Sequence, residues 1–426
     1  MTTRYLEVRL PVAEDPLRLM ARLVRGTGYD QYVVYEGPAE WSLAGRPLAT
    51  VRLSGPEPAP LRTVAERLAR VPVSDWRAYG WAAFELAAAL AGAGRPTGPL
   101  LHLIVPGDEI RADGGSVLIR STSPEHLDRL AALVSAGQDP QAAPTERGDR
   151  IALALEDTGN FRAAVAAAVA ELHGGGPLDK VILSRRLDVP APVDLVATYL
   201  AGRRANTPAR SFLLDLGGVQ AAGFSPETVA EVTREGLVIS RPLAGTRART
   251  GSQAEDARLR AELLRDPKEI HEHAISVKLA LEELAAVCHT TGVSEYLNVL
   301  DRGSVQHLAS VVTGRLRPGL GPWDAFAALF PAVTATGIPK APAYPVIRAL
   351  EGRPRGLYGG AVLTCDADGT LDAALVLRSV FRQDGRCWLQ AGAGIVRQSR
   401  SEREHEETCE KLRSVAEHLV PAADGD

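Results

Sequence analysis

Apolar positions in the first 135 residues follow two different periods. The runs "QYVVYEG", "PLATVRL" and "SVLIRS" are short, apolar and β-branched, and predict strands, whereas "APLRTVAERLARV" and "HLDRLAALV" repeat at helical spacing. The polar stretch "AGQDPQAAPTERGDR", with its Pro and Gly, predicts a loop before the remainder of the chain. Beyond it, "NFRAAVAAAVAEL" predicts a helix and "LDKVILSRRLDV" a strand beginning at Lys180. The segment "RSFLLDLGGVQAAGFSPETVAEVTREGLVISRPLAGTRAR" reads as consecutive strands joined by tight turns. Two helices follow, and then a meander of "GLYGGAVLTC", "TLDAALVLRSVFR" and "RCWLQAGAGIV", with Arg378 inside its second apolar strand. Strands in successive hairpins predict large antiparallel sheets and an α+β fold rather than βαβ units.

Two helical segments carry an unusual charge pattern. "DPKEIHEHAISVKL" and "SEREHEETCEKL" each place glutamates three residues apart near a helix start, where they share a face and repel. Glu269 and Glu404 have a structural explanation. Asp266 with Pro267, and Ser401 in the second case, have the form of helix caps that a glutamate three residues on completes as a capping box, at the positive end of the helix dipole. Glu272 and Glu407 lie a turn further in. They fall off the apolar stripes Ile270/Ala274/Val277/Leu281/Leu284 and Leu412/Val415/Leu419, so either they are a solvated face or their charge is used.

Composition narrows the classes of function. The 426 residues are 45% hydrophobic and 23% charged, ordinary values for a soluble globular chain with a sizeable core. A net charge of -4 without a basic stripe gives no footprint for nucleic acid. "GWAAFELAAALAGAG" carries Glu85 and is too short to span a bilayer, and "MTTRYLEVRL" lacks a signal-peptide core, which together predict a cytoplasmic protein without membrane contact. Cys288, Cys365, Cys387 and Cys409 show no metal or redox spacing and read as buried free thiols.

Lysine is scarce, at five positions among 48 basic residues: Lys180, Lys268, Lys278, Lys340 and Lys411. A desolvated lysine can give up its proton and arginine effectively cannot, so Lys180 is either an ordinary strand-end lysine or a base. No dinucleotide or phosphate-loop fingerprint is present. Gly392 and Gly394, at a strand end in "AGAG", suit a bulge or a close backbone approach to a ligand; taken alone they favour the bulge.

Taken together, Lys180, Glu227 in "GFSPE", "RPLAGTRAR", the two glutamate pairs, His307 in "VQHL", "PAVTATGIPK", Arg378 and "AGAG" resemble the chorismate-utilising enzymes from about residue 155 to 418. That group contains the anthranilate, isochorismate, aminodeoxychorismate and salicylate synthases. "EIHEHAISVKLALEEL", "DRGSVQHLAS", "LFPAVTATGIPKAPAYPVI", "PRGLYGGAV" and "REHEETCEKL" are most similar to the salicylate synthases of mycobactin-type siderophore pathways. The first 135 residues resemble the family's variable N-terminal part only loosely. The resemblance implies a fold like anthranilate synthase component I, with helices around large antiparallel sheets and the active site in a central cleft. Residues 1–150 would be the family-variable part of the same core and 151–426 the chorismate-binding catalytic region.

Departures from other members are informative. Ala244 stands where aminodeoxychorismate synthases carry a nucleophilic lysine, and Lys180 where ammonia-using anthranilate synthases have glutamine. The resemblance therefore implies water as nucleophile and no glutaminase partner. Moving a hydroxyl from C4 to C2 of chorismate needs one base and one acid, which it assigns to Lys180 and Glu227. It gives Glu272 and Glu407 as direct ligands of Mg²⁺, with Glu269 and Glu404 acting largely through its waters, a hard oxygen-only set. Tyr358, Arg378 and the Gly392/Gly394 backbone would hold the enolpyruvyl carboxylate, while Gly245, Thr246, His307, Thr334 and Lys411 surround the ring and metal. The expected product is salicylate with pyruvate, from a monomer. The alternatives are an isochorismate synthase that stops at the intermediate and a silent chorismate-binding subunit, which the filled titratable positions disfavour.

Overall fold

The computed structural model describes residues 3–423 except 56, 58, 93–97, 137–149, 157–159 and 303–304. Most of the predicted interregion loop lies outside the described residues. Alternating and continuous apolar strands pair into two antiparallel layers. One layer passes through Lys180–Val189, Arg386–Ile395, Ser379–Gln383, Val219–Ser225, Arg210–Leu216 and Tyr32–Glu36. The other passes through Arg77–Ala82, Ala361–Asp366, Leu371–Leu375, Thr228–Val232, Leu237–Ser240, Val305–Leu316 and Cys288–Arg302. The long strands Trp41–Ser54 and Pro99–Ala112 pair with each other and join the layers at one end.

Tyr79, Trp81, Ile104, Phe212, Leu214, Val362 and Phe381 form one buried cluster drawn from both layers. A second cluster packs Pro16–Thr27, Leu195–Ala205 and Ser401–Ala416 through Leu19, Tyr199 and Leu412. A third packs Phe161–His173, Pro267–Ala285, Pro322–Leu329 and Lys340–Glu351 through Val165, Val277, Phe326 and Ile347. The result is the expected α+β arrangement of antiparallel sheet and flanking helices. All four cysteines are free and buried. Among the described residues no helix is long and apolar enough to cross a membrane.

Two local expectations are corrected, and one element has no counterpart in the sequence reading. "TLDAALVLRSVFR" is not one strand: it breaks between Leu371–Leu375 and Ser379–Gln383, which belong to different layers, and Arg378 sits in the break with φ 49°, a left-handed backbone outside the extended strand region. The hairpin of Cys288–Arg302 and Val305–Leu316 went unpredicted because most of its outer strand is exposed and carries no apolar stripe. The glutamate capping boxes do not form. Asp266 does cap its helix, accepting from the N–H groups of Lys268 at 2.9 Å and Glu269 at 3.3 Å, but the Glu269 carboxylate turns elsewhere. Ser401 is already helical, preceded by Arg400 with no side-chain cap.

Candidate active site

Lys180 opens its strand beside the end of Arg386–Ile395, and its Nζ donates to Glu272 Oε1 at 2.6 Å. Burial pushes the Glu272 carboxyl up, but the Lys180 ammonium overrides this and holds it below the ordinary glutamate range. Gly394 faces this lysine. A Cβ there would lie 2.7 Å from Lys180 Cε, and one on Gly392 would lie 2.8 Å from Leu183 O and 2.9 Å from the Tyr358 hydroxyl. Both glycines keep unbroken register with the Lys180 strand. The expected bulge is therefore absent: the glycines make room for Lys180 and Tyr358.

Glu227 follows Val219–Ser225 at a turn fixed by its own carbonyl, which accepts from Ser225 Oγ at 2.7 Å and Leu375 N at 3.1 Å. Its side chain points inward and accepts a hydrogen bond from the Thr334 hydroxyl. Burial raises the carboxyl to about 7, against the opposing pull of Thr334, Arg378, Lys411 and Lys180. A substantial fraction is thus protonated near neutrality. Arg378 approaches Glu227 from its left-handed position and has no ion-pair or hydrogen-bond partner for its guanidinium among the described residues. Tyr358 is buried, and its phenol is pushed well up by burial.

Across the cleft, the strand Leu243–Ala248 bulges between Leu243 and Thr246, with Gly245 at φ 82°. The bulge aims Thr246 N at Glu269 Oε2, at 3.2 Å, and Arg247 Nη1 pairs with the other oxygen at 3.1 Å. Thr246 Oγ1 meets His307 Nδ1 at 2.9 Å. Burial, followed by Arg378 and Lys411, pushes His307 down to about 4, so the ring is neutral at pH 7. Its buried Nε2 has no hydrogen-bond partner, which leaves it for a ligand.

On the helix Ser401–Ala416, Lys411 Nζ donates to Glu407 Oε1 at 2.7 Å and to Gly392 O at 2.8 Å. Glu404 is 8% exposed and has no ion pair among the described residues; burial, reinforced by Glu407, raises its carboxyl. Lys268 and Lys411 act electrostatically on both Glu272 and Glu404, so the two glutamate helices face one cleft. Among the described residues no three His, Cys, Asp or Glu side chains are gathered closely enough to hold a metal. Lys180, Arg247 and Lys411 instead each hold one of Glu272, Glu269 and Glu407. The donor chemistry fits a hard divalent cation all the same, being oxygen-only and including a buried carboxylate with a like-charged neighbour.

The structure thus links the predicted site residues in one connected set of contacts and charges, running from Thr246 and His307 through Glu227, Lys180 and Lys411 to the two glutamate helices. Sequence reasoning gave no role to Arg247, which neutralises Glu269 and also meets Asp266 at 2.5 Å. It likewise passed over Arg355 and Glu85, although "PRGLYGG" places an arginine inside a stretch otherwise built for burial.

Residues 30–417 match the family model described as chorismate binding enzyme, so the relationship extends well into the N-terminal part. The salicylate synthase of Mycolicibacterium paratuberculosis is 41% identical over 436 aligned residues, covering 97% of this chain and 96% of that protein. Anthranilate synthase component 1 of Thermus thermophilus is 36% identical over 322 residues, covering 71% of this chain and 70% of that one. Among solved structures, the menaquinone-specific isochorismate synthase of Escherichia coli shares the fold, with a TM-score of 0.76 at 23% identity over 97% of this chain and 95% of that one. The architecture, the convergent site and the family match lead to one conclusion: the chain belongs to the chorismate-binding enzymes.

Proposed function

We propose that this protein is a Mg²⁺-dependent salicylate synthase that converts chorismate through isochorismate to salicylate and pyruvate. The observation that carries this reading is the buried Glu227, raised to about 7 and facing Lys180, with the unpaired Arg378 beside it. An acid, a base and a carboxylate grip then share one cleft. The near full-length similarity to a salicylate synthase supports the choice of product.

Lys180, once it has given up its proton, takes a proton from water as the water adds at C2. Protonated Glu227 donates to the C4 oxygen as it leaves, with Thr334 orienting the carboxyl. Arg378 and Tyr358 hold the enolpyruvyl carboxylate against the Gly392 backbone, and His307 offers its free Nε2 to the ring. Glu272 and Glu407, with Glu269 and Glu404 behind them, would hold Mg²⁺, which supplies positive charge for the ring carboxylate. Pyruvate is then lost by hydrogen transfer from C2 to the enolpyruvyl methylene, a pericyclic step that needs no further acid or base. It needs the arm held over the ring, a geometry worth several kcal/mol. Residues 151–426 carry this chemistry and 1–150 complete the core. Water as nucleophile makes a glutaminase unnecessary, and the salicylate would serve a siderophore or another aryl-capped product in the cytoplasm.

The test of this reading is to supply isochorismate in place of chorismate. Purified protein is expected to release salicylate and pyruvate from it in equal amounts, with chorismate as a competitive inhibitor; isochorismate left intact would exclude the second half-reaction.

The acid role also fixes a pH dependence. Glu227 must be protonated to donate, so kcat/KM for chorismate should fall as pH rises through about 7, the value to which burial raises the carboxyl. A profile that keeps climbing through pH 7 with no descending limb would remove Glu227 from that role.

A further inference from the structure

Arg355 takes no part in the chemistry above, yet it is tied to most of it. Its side chain is 1% exposed. Nε and Nη2 donate to the two Glu351 oxygens at 2.9 and 2.6 Å, Nη1 donates to Ala335 O at 2.6 Å, and Nη2 also donates to Ile182 O at 2.8 Å. The N–H groups of Arg355 and Gly356 donate to Glu85 at 2.7 and 3.1 Å, an anchor contributed by the N-terminal part. The guanidinium carbon lies 4.4 Å from the ring centre of Phe84 and 5.8 Å from that of Tyr358.

Ala335, Ile182 and the segment that Glu85 pins each adjoin a site residue. Ala335 follows Thr334, the donor to Glu227. Ile182 is two residues from Lys180, pairs with Gly394, and donates its own N–H to Thr336 O at 2.8 Å. Tyr358 stands three residues beyond Arg355 on the segment that Glu85 pins. A buried ion pair is weak evidence for stability, because well-packed apolar side chains often serve as well. A four-acceptor guanidinium joining three separate segments offers something they cannot, namely fixed directions.

We propose that Arg355 is a positioning residue that locks Thr334, the Lys180 strand and Tyr358 into one arrangement, and so sets both proton donation by Glu227 and the hold on the enolpyruvyl arm. The inference rests on the proposed function: its first half on Glu227 as the acid, which an isochorismate synthase would share, and its second half on the salicylate synthase reading. Arg378, Lys411 and Lys180 are the charged groups facing Glu227, and a substitution at Arg355 leaves all three in place.

Two variants test it: Arg355→Lys, which keeps the charge, and the double variant Arg355→Met/Glu351→Gln, which removes both charges of the buried pair and leaves Glu85 its two backbone N–H donors. Folding is checked by circular dichroism and thermal unfolding. The deciding measurement is an infrared pH titration of the Glu227 carboxyl without substrate, its band identified by loss in Glu227→Gln. The Thr334 hydrogen bond opposes protonation of Glu227, so loosening it should move the midpoint upward, by about one pH unit. An unchanged midpoint in folded variants overturns the proposal, whatever the products. With chorismate and Mg²⁺, the fraction of isochorismate escaping should rise severalfold, and an unchanged fraction removes Tyr358 from it. If wild-type protein made no salicylate, the functional reading would fail while the infrared midpoint still decided the role of Arg355.

Discussion

Lys180→Arg is expected to abolish conversion of chorismate while sparing the conversion of supplied isochorismate to salicylate. Arginine keeps the positive charge and can keep the pair with Glu272, but it cannot serve as a base at accessible pH. A positioned base is worth about 10² to 10⁴ in rate, and the first half-reaction should lose that much. Pyruvate loss involves no proton exchange with the protein, so it should change only as far as binding changes. Following both substrates in one variant separates a lost base from a damaged cleft. Chorismate turnover near the wild-type rate would contradict the role of Lys180, and equal loss with both substrates would point to misplacement of the ligand instead.

Neutralising either inner glutamate should be nearly as damaging. Glu272→Gln and Glu407→Gln each remove an anionic oxygen from the proposed cation site, with an expected loss of about a hundredfold or more in Mg²⁺-dependent turnover. Each also frees a lysine, Lys180 or Lys411, from its carboxylate. The Mg²⁺ requirement is therefore the quantity to read: in chelator-treated protein titrated with Mg²⁺, half-activation should move to much higher concentration. Glu404→Gln should cost less, about tenfold, because it is assigned to act largely through the cation's waters rather than as a direct ligand. Wild-type Mg²⁺ titrations in all three variants would remove the metal assignment.

The sequence was legible where one local rule decided the outcome. Asp266 and Pro267 start their helix as their residue types require, and the consecutive strands between residues 210 and 248 follow from short apolar runs separated by turn residues. The scarcity of lysine pointed to Lys180 because the paired alternative, arginine, is chemically different rather than merely less common. What failed were features set by distant partners. Arg378 lies in an apolar run that reads as a strand, and only the crossing of two sheets puts it in a left-handed break facing Glu227. Glu269 looked like a capping residue, yet the bulge at Gly245 brings Thr246 and Arg247 to its carboxylate from 22 or more residues away. Glycines 392 and 394 favoured a bulge until Tyr358 and Lys180 were seen to occupy the space a side chain would fill. Arg355 illustrates the limit most clearly, since beyond the local Glu351 its acceptors at 182 and 335 become neighbours only in the folded chain.

The central claim is that one cleft performs both half-reactions. Its most direct test is a time course of purified protein with chorismate and Mg²⁺, with chorismate, isochorismate, salicylate and pyruvate separated chromatographically. The account predicts a transient rise of isochorismate followed by salicylate and pyruvate in equal amounts, until chorismate is consumed. Isochorismate accumulating to equilibrium with chorismate and no release of pyruvate would contradict it.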